Sequence, residues 1–448
     1  MLIPVEVQAQ RPGNTGVTIG ELGGKSCVLV DLGTEAEAVP LTGDDGTQLA
    51  VAAFTARQQR LPLVCHLNST GAPPSAGVEA LHGWGTAAAE LAKCSGVVPL
   101  VFCVTHTAVA GSALLLGLAD VVVMVDESYA YVSGPRMVQE FTGVPVDNQA
   151  LGGVGAHAGA SGVATFVAST PDTADDIMAE VLSLLPLNAD EPAPVTPSAD
   201  PVDRELTGIG EVLPTTITGS YDMRHIIEAV VDDGLLTEFR AAWATNLVTA
   251  LATIDGQTVG VVANQPQSLA GTLDIAASQK GARFVAMCDA FNIALVTFVD
   301  TPGFQPGKDL EWRGMIRHGA QLAFAYARAT VPRICVTVRK SYGGAYIVMD
   351  SKHMGNDIAL AWPSAEIAVM GAKGAVEILH RQASDDERLA LEGDYEERLL
   401  NPYVAAERGS VDMVIEPEHT RREVVAALRA LQSKRERLPR RVHDNTPL

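Results

Sequence analysis

The stretches best suited to chemistry in this sequence carry no reactive side chain. The segment Ser341-Tyr-Gly-Gly-Ala345 follows an apolar run, Ile334 to Val338, and two basic residues, Arg339 and Lys340. An apolar segment that reads as the start of a helix comes next. A strand that ends in a Gly-Gly turn and enters a helix aims unpaired backbone N–H groups at one point, where the helix dipole adds positive charge. Glycine lets a ligand oxygen approach the backbone closely. The chemistry implied is stabilisation of a developing oxyanion by backbone donors, here at Gly343, Gly344 and Ala345.

The same layout stands earlier in the chain. Val98 to Leu114 holds an apolar run followed by Ala110-Gly111-Ser112. Pro99 precedes Gly111 by 111 − 99 = 12 positions, and Pro332 precedes Gly344 by 344 − 332 = 12. Upstream of each turn lies another strand ending in a glycine loop. One is Leu63 to Gly71, followed by Ala72; the other is Ala294 to Gly303, followed by Phe304. The loop-to-turn spacings are 111 − 71 = 40 and 344 − 303 = 41. The chain therefore reads as one two-loop unit present twice, and this duplication sets the domain plan.

The elements that must position these turns follow from periodicity. Ile19 to Asp31 alternates as a hairpin. Asp44 to Arg60 and Val78 to Ala92 have helical spacing. Leu63–Leu67, Pro99–Val104 and Val121–Val125 read as buried strands, and Ala130 to Val132 begins another. In the second half, Arg224 to Ala242 and His318 to Ala329 read as helices. Thr258–Ala263, Ala294–Val299 and Ile367–Met370 read as strands. Near-continuous apolar runs of this kind belong to a parallel sheet covered by crossover helices, an α/β class. Between the halves, residues 186–204 are rich in proline and acid and read as a linker. The plan is a first domain over 1–185 and a second over 205–448. The tail from Thr420 to Arg441, with Arg421, Arg422, Arg429, Lys434, Arg435 and Arg437, reads as a solvated basic helix and coil.

Composition narrows the function. With 448 residues the chain is long for one domain. A net charge of −21 argues against a nucleic-acid surface. The 6 cysteines are scattered without a Cys-x-x-Cys pair, so no metal site is expected and they read as reduced core residues of a cytoplasmic protein. The first residues lack the layout of a signal peptide. Val97 to Val125 is long and apolar enough to suggest a membrane span, but its prolines, threonines and glycines favour strand, helix and strand. There is no Ser/His/Asp arrangement, HExxH or P-loop. His106, beside the first turn, reads as a half-buried histidine bonded to backbone rather than as a catalytic group.

The second half resembles the carboxyltransferase (β) subunit of biotin-dependent acyl-CoA carboxylases, the acetyl- and propionyl-CoA carboxylase family. The segments that carry the resemblance include Val261-Val-Ala-Asn-Gln-Pro266, Cys288-Asp-Ala-Phe-Asn-Ile293, Phe298-Val-Asp-Thr-Pro-Gly-Phe304, Arg339-Lys-Ser-Tyr-Gly-Gly-Ala-Tyr346 and Asn401-Pro-Tyr403. It spans nearly all of residues 255–415 and is looser over the first half, where Ser133-Gly-Pro135 and Leu151-Gly-Gly153 still look like the family. Two departures stand out. The family's Ser-Gly-Gly-Ala-Arg loop is Ser69-Thr-Gly-Ala-Pro73 here, and its first Gly-Gly is Ala110-Gly111. Alanine at 110 keeps the N–H but demands φ below zero or some strain.

The resemblance implies two tandem crotonase-like (ββα superhelix) domains. It also implies transfer of CO2 from carboxybiotin to the α-carbon of an acyl-CoA through enolates held in two backbone oxyanion holes. The matching catalytic positions are Ala110 and Gly111 in the first half and Gly344 and Ala345 in the second. Gly303, Phe304, Gly343 and Tyr346 would line the biotin side. Gly71 and Ala72 would line the CoA side, and Ile347 would sit near the end of the acyl chain, favouring a neutral acyl group. Biotin would arrive on a separate biotin carboxylase/biotin carrier α subunit, because no Met-Lys-Met attachment motif or ATP-grasp signature is present. A homo-oligomer built from dimers, as a hexamer, is implied, with no nucleic-acid or membrane partner. Two other readings stand beside this one: an acyl-CoA decarboxylase, biotin-dependent or not, and a non-catalytic structural β subunit, to which the altered Ser69–Pro73 loop lends support.

Overall fold

The computed structural model describes residues 14–34, 37–216, 218–434, 436, 438–439 and 445–447. The chain forms two compact units. The first comprises Met1–Pro194 with Arg240–Trp243, and the second Val195–Phe239 with Ala244–Leu448.

The first unit is an eight-stranded sheet. Its strands are β1 (Thr15–Leu22), β2 (Lys25–Leu32), β3 (Val39–Pro40), β4 (Leu63–Gly71), β5 (Leu100–Val109), β6 (Val121–Val125), β7 (Tyr129–Tyr131) and β8 (Phe166–Ala168). The main order is β1-β2-β4-β5-β6-β8, with β3 on β4 and β7 on β5. Only the β1–β2 hairpin is antiparallel; from β2 onward neighbours are parallel. Strands buried on both faces explain the unbroken apolar runs. The stretch with membrane-like hydropathy is β5, the short helix α3 (Gly111–Leu115) and β6, in the strand, helix, strand order expected. No helix among the described residues is long and apolar enough to cross a membrane.

Two helices cover one face of this sheet. Helix α1 (Gly43–Gln59) starts at a capping box in which Thr42 and Asp45 satisfy each other's backbone N–H, and it ends at Arg60 in the left-handed region, φ 59. Helix α2 (Val78–Cys94) crosses α1 in backbone contact. A Cβ on Gly46 would lie 2.2 Å from the Gly83 carbonyl carbon, and one on Gly83 would lie 2.6 Å from the Gly43 oxygen. Only glycine at these positions permits so close a crossing.

The second unit repeats the plan. Its strands are β9 (Thr237–Glu238), β10 (Leu247–Ile254), β11 (Gln257–Asn264), β12 (Ala294–Thr301), β13 (Arg333–Tyr342), β14 (Ile358–Ala361), β15 (Glu366–Ala368) and β16 (Met413–Val414). Their order is β16-β14-β13-β12-β11-β10-β9, with β15 on β13. The duplication reaches single residues. Val109 pairs with Tyr131 and Tyr342 with Ala368, and 342 − 109 = 233 is the offset between the turns, 344 − 111 = 233. Each unit also has a bulge just before its glycine loop, between Leu67 and Ser69 and between Val299 and Thr301.

Three expectations need correction or closer definition. The helix expected over Arg224–Ala242 stops at Val230, because Asp233 (φ 53) and Gly234 (φ 69) turn the chain into β9. The proline-rich stretch is pinned rather than loose. Asn188 Nδ2 donates to Arg60 O at 3.1 Å, and Thr196 N donates to Gly256 O at 2.8 Å, each within its own unit. The terminal helix, Thr420–Leu431, is not solvated all round. Val424, Val425, Ala427 and Leu428 enter the second unit's core. Arg421 is fully buried and donates to Val230 O and Asp232 Oδ1, both at 2.6 Å. Arg435, Arg437 and Arg441 of that reading lie outside the described residues.

Candidate active site

In each unit the site begins with the glycine loop. Leu41 N donates to Gly71 O at 3.0 Å, and Leu273 N donates to Gly303 O at 3.1 Å. Ser69 Oγ accepts from Gly71 N at 3.2 Å, and Thr301 Oγ1 accepts from Gly303 N at 3.3 Å. The chain therefore sets the two loops with the same bonds 232 positions apart, 303 − 71 = 232. Gly71 is packed against its turn: a Cβ there would lie 2.6 Å from Val109 O and 3.3 Å from Ala110 Cβ. This close approach is what brings Gly71 and Ala110 together. Ala72 follows, half-buried.

The turns themselves share a positive φ at the matching corner. Ala110 has φ 57 and ψ −117, and Gly343 has φ 58. Ala110 is thus held in the strained alternative, not at negative φ. Its N–H donates to Tyr131 O at 2.8 Å, which corrects its assignment as an oxyanion donor. The strand β7, not the local sequence, takes that donor. Gly111 is the first residue of the pair with its N–H available, and its position corresponds to Gly344. Ser112, which the sequence reading passed over, corresponds to Ala345.

Trp84 was also passed over. Its Nε1–H donates to Gly111 O at 2.7 Å. A Cβ on Gly111 would lie 2.6 Å from the indole Cδ1. The pair stands 27 positions apart, and no local pattern announces it.

In the second unit, Phe304 lies beside the turn, with its Cε2 3.3 Å from the place of a Gly344 Cβ. Its Cε1 is 3.2 Å from the equivalent point on Gly319, so the ring rests on two glycines. Gly344, Ile347 and Val348 form one face of the short helix Gly343–Val348. They line a groove with Phe304 and the helix Met315–Arg328, which contributes Met315, Ile316, Gly319, Ala320 and Ala323. The groove has a volume of about 380 Å³, and Glu311 is its one ionisable lining residue. Ile347 is 48% exposed there. Tyr346 does not line the groove; its ring packs with Ala361, Ala365, Ile367, Ala405 and Val411.

Buried charge holds this turn in place. Arg339 donates to Thr216 O at 2.7 Å and Gly219 O at 3.0 Å. Lys340 N donates to Asp300 Oδ1 at 3.1 Å. Burial pushes the Asp300 carboxyl up and, with Arg339, pulls the Lys340 ammonium down. At the start of β13, Arg333 Nη1 donates to Asp350 Oδ1 at 2.9 Å and to Tyr326 O at 2.7 Å. Asp350 follows the short helix by two residues, so this pair ties both ends of the strand–turn–helix segment together.

All 6 cysteines are free and buried, and burial pushes the Cys103 thiol up to about 12. His106 is exposed against Tyr129, with ring centroids 6.1 Å apart, which corrects the half-buried reading. Among the described residues no group of 3 or more His, Cys, Asp or Glu is arranged to hold a metal ion.

Known proteins share this sequence and fold. The carboxyl transferase domain model matches residues 12–446. The propionyl-CoA carboxylase beta chain of Saccharopolyspora erythraea is 45% identical over 406 residues, covering 86% of this chain and 74% of that protein. The methylmalonyl-CoA decarboxylase subunit alpha of Veillonella parvula is 43% identical over 388 residues, covering 86% and 76%. The structure of transcarboxylase 12S, a hexamer assembly described with hydrolysed methylmalonyl-coenzyme A bound, superposes with a TM-score of 0.94 at 37% identity, covering 97% of this chain and 85% of that one. The two sheets of this chain fit tandem crotonase-like domains. By its sequence, its duplicated sheets and these relatives, the chain belongs to the carboxyl transferase domain family.

Proposed function

We propose that this chain is the carboxyltransferase subunit of a biotin-dependent acyl-CoA carboxylase. The observation that carries the reading is the Gly344 turn, which opens on an apolar groove whose one ionisable lining residue is Glu311. The Gly111 and Ser112 N–H groups hold the thioester oxygen of the acyl-CoA, with Gly71 and Ala72 alongside. Gly344 and Ala345 N–H groups serve the second oxygen, on the biotin side formed by Gly303, Phe304 and Gly343. On this reading residues 1–185 form the acyl-CoA side, 186–204 the link and 205–448 the biotin side.

The groove fits the biotin ring system. It is apolar, of suitable size, and bordered by two glycines whose missing Cβ atoms leave room beside Phe304. When bound and carboxylated on its carrier, biotin supplies the CO2 group. The chain's own part is to orient both partners, exclude water and offer fixed dipoles to oxygens that gain negative charge. Losing one such donor raises the barrier by about 2.7–4 kcal/mol. No metal is required by this scheme. The working form is a cytoplasmic homo-oligomer, a hexamer like the transcarboxylase 12S relative, served by a biotin carrier subunit.

The Veillonella relative favours a second reading, in which the same turns stabilise an enolate formed by loss of CO2. Mass spectrometry of CoA products separates the two. The protein is incubated with malonyl-, methylmalonyl- and longer carboxyacyl-CoAs, with and without biotin. CO2 loss that requires biotin supports carboxyl transfer to biotin, the step that a carboxylase subunit shares with a biotin-dependent decarboxylase, and names the acyl group. Loss without biotin supports a decarboxylase, and no turnover of any ester defeats both.

A further inference from the structure

We infer that Trp84 is a positioning residue for the turn of the first unit, an inference that rests on the role proposed above for Gly111. The indole Nε1–H donates to Gly111 O at 2.7 Å. That oxygen belongs to the peptide plane whose other end is the Ser112 N–H. Fixing the oxygen on one side turns this N–H to the opposite side and polarises the plane. The ring also covers Gly111, leaving no space for a side chain: a Cβ would lie 2.6 Å from Cδ1 and 3.0 Å from Nε1. Trp84 is itself held. It directly follows Gly83, where α2 touches the backbone of α1, and it packs on the first unit's core.

The turn needs such a clamp. Ala110 carries a Cβ at φ 57 and ψ −117, a state that costs an L-residue free energy and relaxes unless its surroundings over-determine it. Relaxation of Ala110 would rotate the following N–H out of line. The second unit has glycine at the matching corner, Gly343, and the ring beside Gly344 is Phe304, which has no donor. The hydrogen-bonded ring therefore stands at the turn that is strained.

The test is Trp84→Phe, which keeps a ring and removes the donor, assayed for carboxyl transfer in the full-length protein. The expected result is a fall in kcat of about ten-fold, the effect of one lost hydrogen bond, with KM for the acyl-CoA within about two-fold. Adding Ala110→Gly to Trp84→Phe restores most of the loss, because an unstrained turn needs no clamp. An unchanged kcat overturns the inference, as does a loss that Ala110→Gly leaves in place. Hydrogen exchange over residues 110–114 gives a readout independent of turnover: it quickens about ten-fold in Trp84→Phe if the bond holds the turn, and is unchanged if the ring only fills space. A wild-type protein that turns over no acyl-CoA, with exchange still responding to Trp84→Phe, defeats the proposed reaction while leaving the clamp standing. Should Trp84→Phe not fold, Trp84→Met takes its place with the same outcomes.

Discussion

Ala110 and Gly343 occupy the same corner of the duplicated unit, with φ 57 and 58, yet one carries a Cβ and the other does not. The first unit holds an alanine where the second shows what the backbone prefers. A Cβ at this φ costs roughly 1–2 kcal/mol. Replacing alanine with glycine loosens the unfolded chain by about 0.4–1 kcal/mol, which opposes the gain. Ala110→Gly should therefore raise stability by up to about 1.6 kcal/mol. Gly343→Ala should lower it by about 1–2 kcal/mol, since its new Cβ also meets Val369 O at 3.1 Å. Urea denaturation of both variants checks the pair; equal effects of the same sign would show that the corners are not equivalent.

The strands and the duplication were legible because both rest on local pattern. β4, β5, β12 and β13 are buried apolar runs, and each ends at or leads into a glycine at a repeated spacing. What stayed hidden depends on contacts far along the chain. The partner of the Ala110 N–H is Tyr131, on a strand 131 − 110 = 21 positions further along the chain. The partner of Gly111 O is Trp84, which sequence alone assigns to an ordinary helix face. Arg421 sits among basic residues and looks solvated, but its carboxylate partner, Asp232, is 189 positions away. A pattern reports which face is buried; it does not report which distant group consumes a donor. Moving the repeat arithmetic one residue further would have raised Ser112, the match of Ala345.

The groove beside Gly344 offers a site-directed test that leaves the core untouched. Ala320 is exposed and lines the groove on the helix Met315–Arg328. Ala320→Phe adds a ring to a space of about 380 Å³ without burying a polar group. KM for free biotin in the half-reaction should rise at least about ten-fold, the equivalent of roughly 1.4 kcal/mol of lost contact, with melting temperature unchanged. Unchanged biotin kinetics would place biotin elsewhere.

Arg333 and Asp350 are 2% and 0% exposed, so neither charge has water to fall back on. Arg333→Ala leaves the carboxylate buried without its cation and removes the bond to Tyr326 O as well. Breaking a buried pair in this way costs about 3–5 kcal/mol. The loss should appear as a shift in the denaturation midpoint. It should also lower carboxyl transfer, because the pair fixes the start of β13 and the end of the turn helix together. A variant as stable as wild type would show that the pair does not hold this segment.

His66 provides a pH test away from the groove. Its Nδ1 lies 3.0 Å from Asp31 Oδ1 and its Nε2 lies 2.9 Å from Asp175 Oδ1, linking β2, β4 and the helix Pro171–Leu184. Burial pulls the imidazolium down, but hydrogen bonds to both carboxylates outweigh it and hold the group above its ordinary 6.5. A raised folded pKa means that the folded state binds the proton more tightly than the unfolded chain. The stabilisation is therefore complete below pH 6.5 and disappears as pH rises through the higher folded value. His66→Gln cannot titrate, so the difference in unfolding free energy between wild type and variant should shrink steadily as pH climbs above 6.5. A difference that stays constant from mildly acidic to alkaline pH would mean that His66 is not protonated between its two carboxylates.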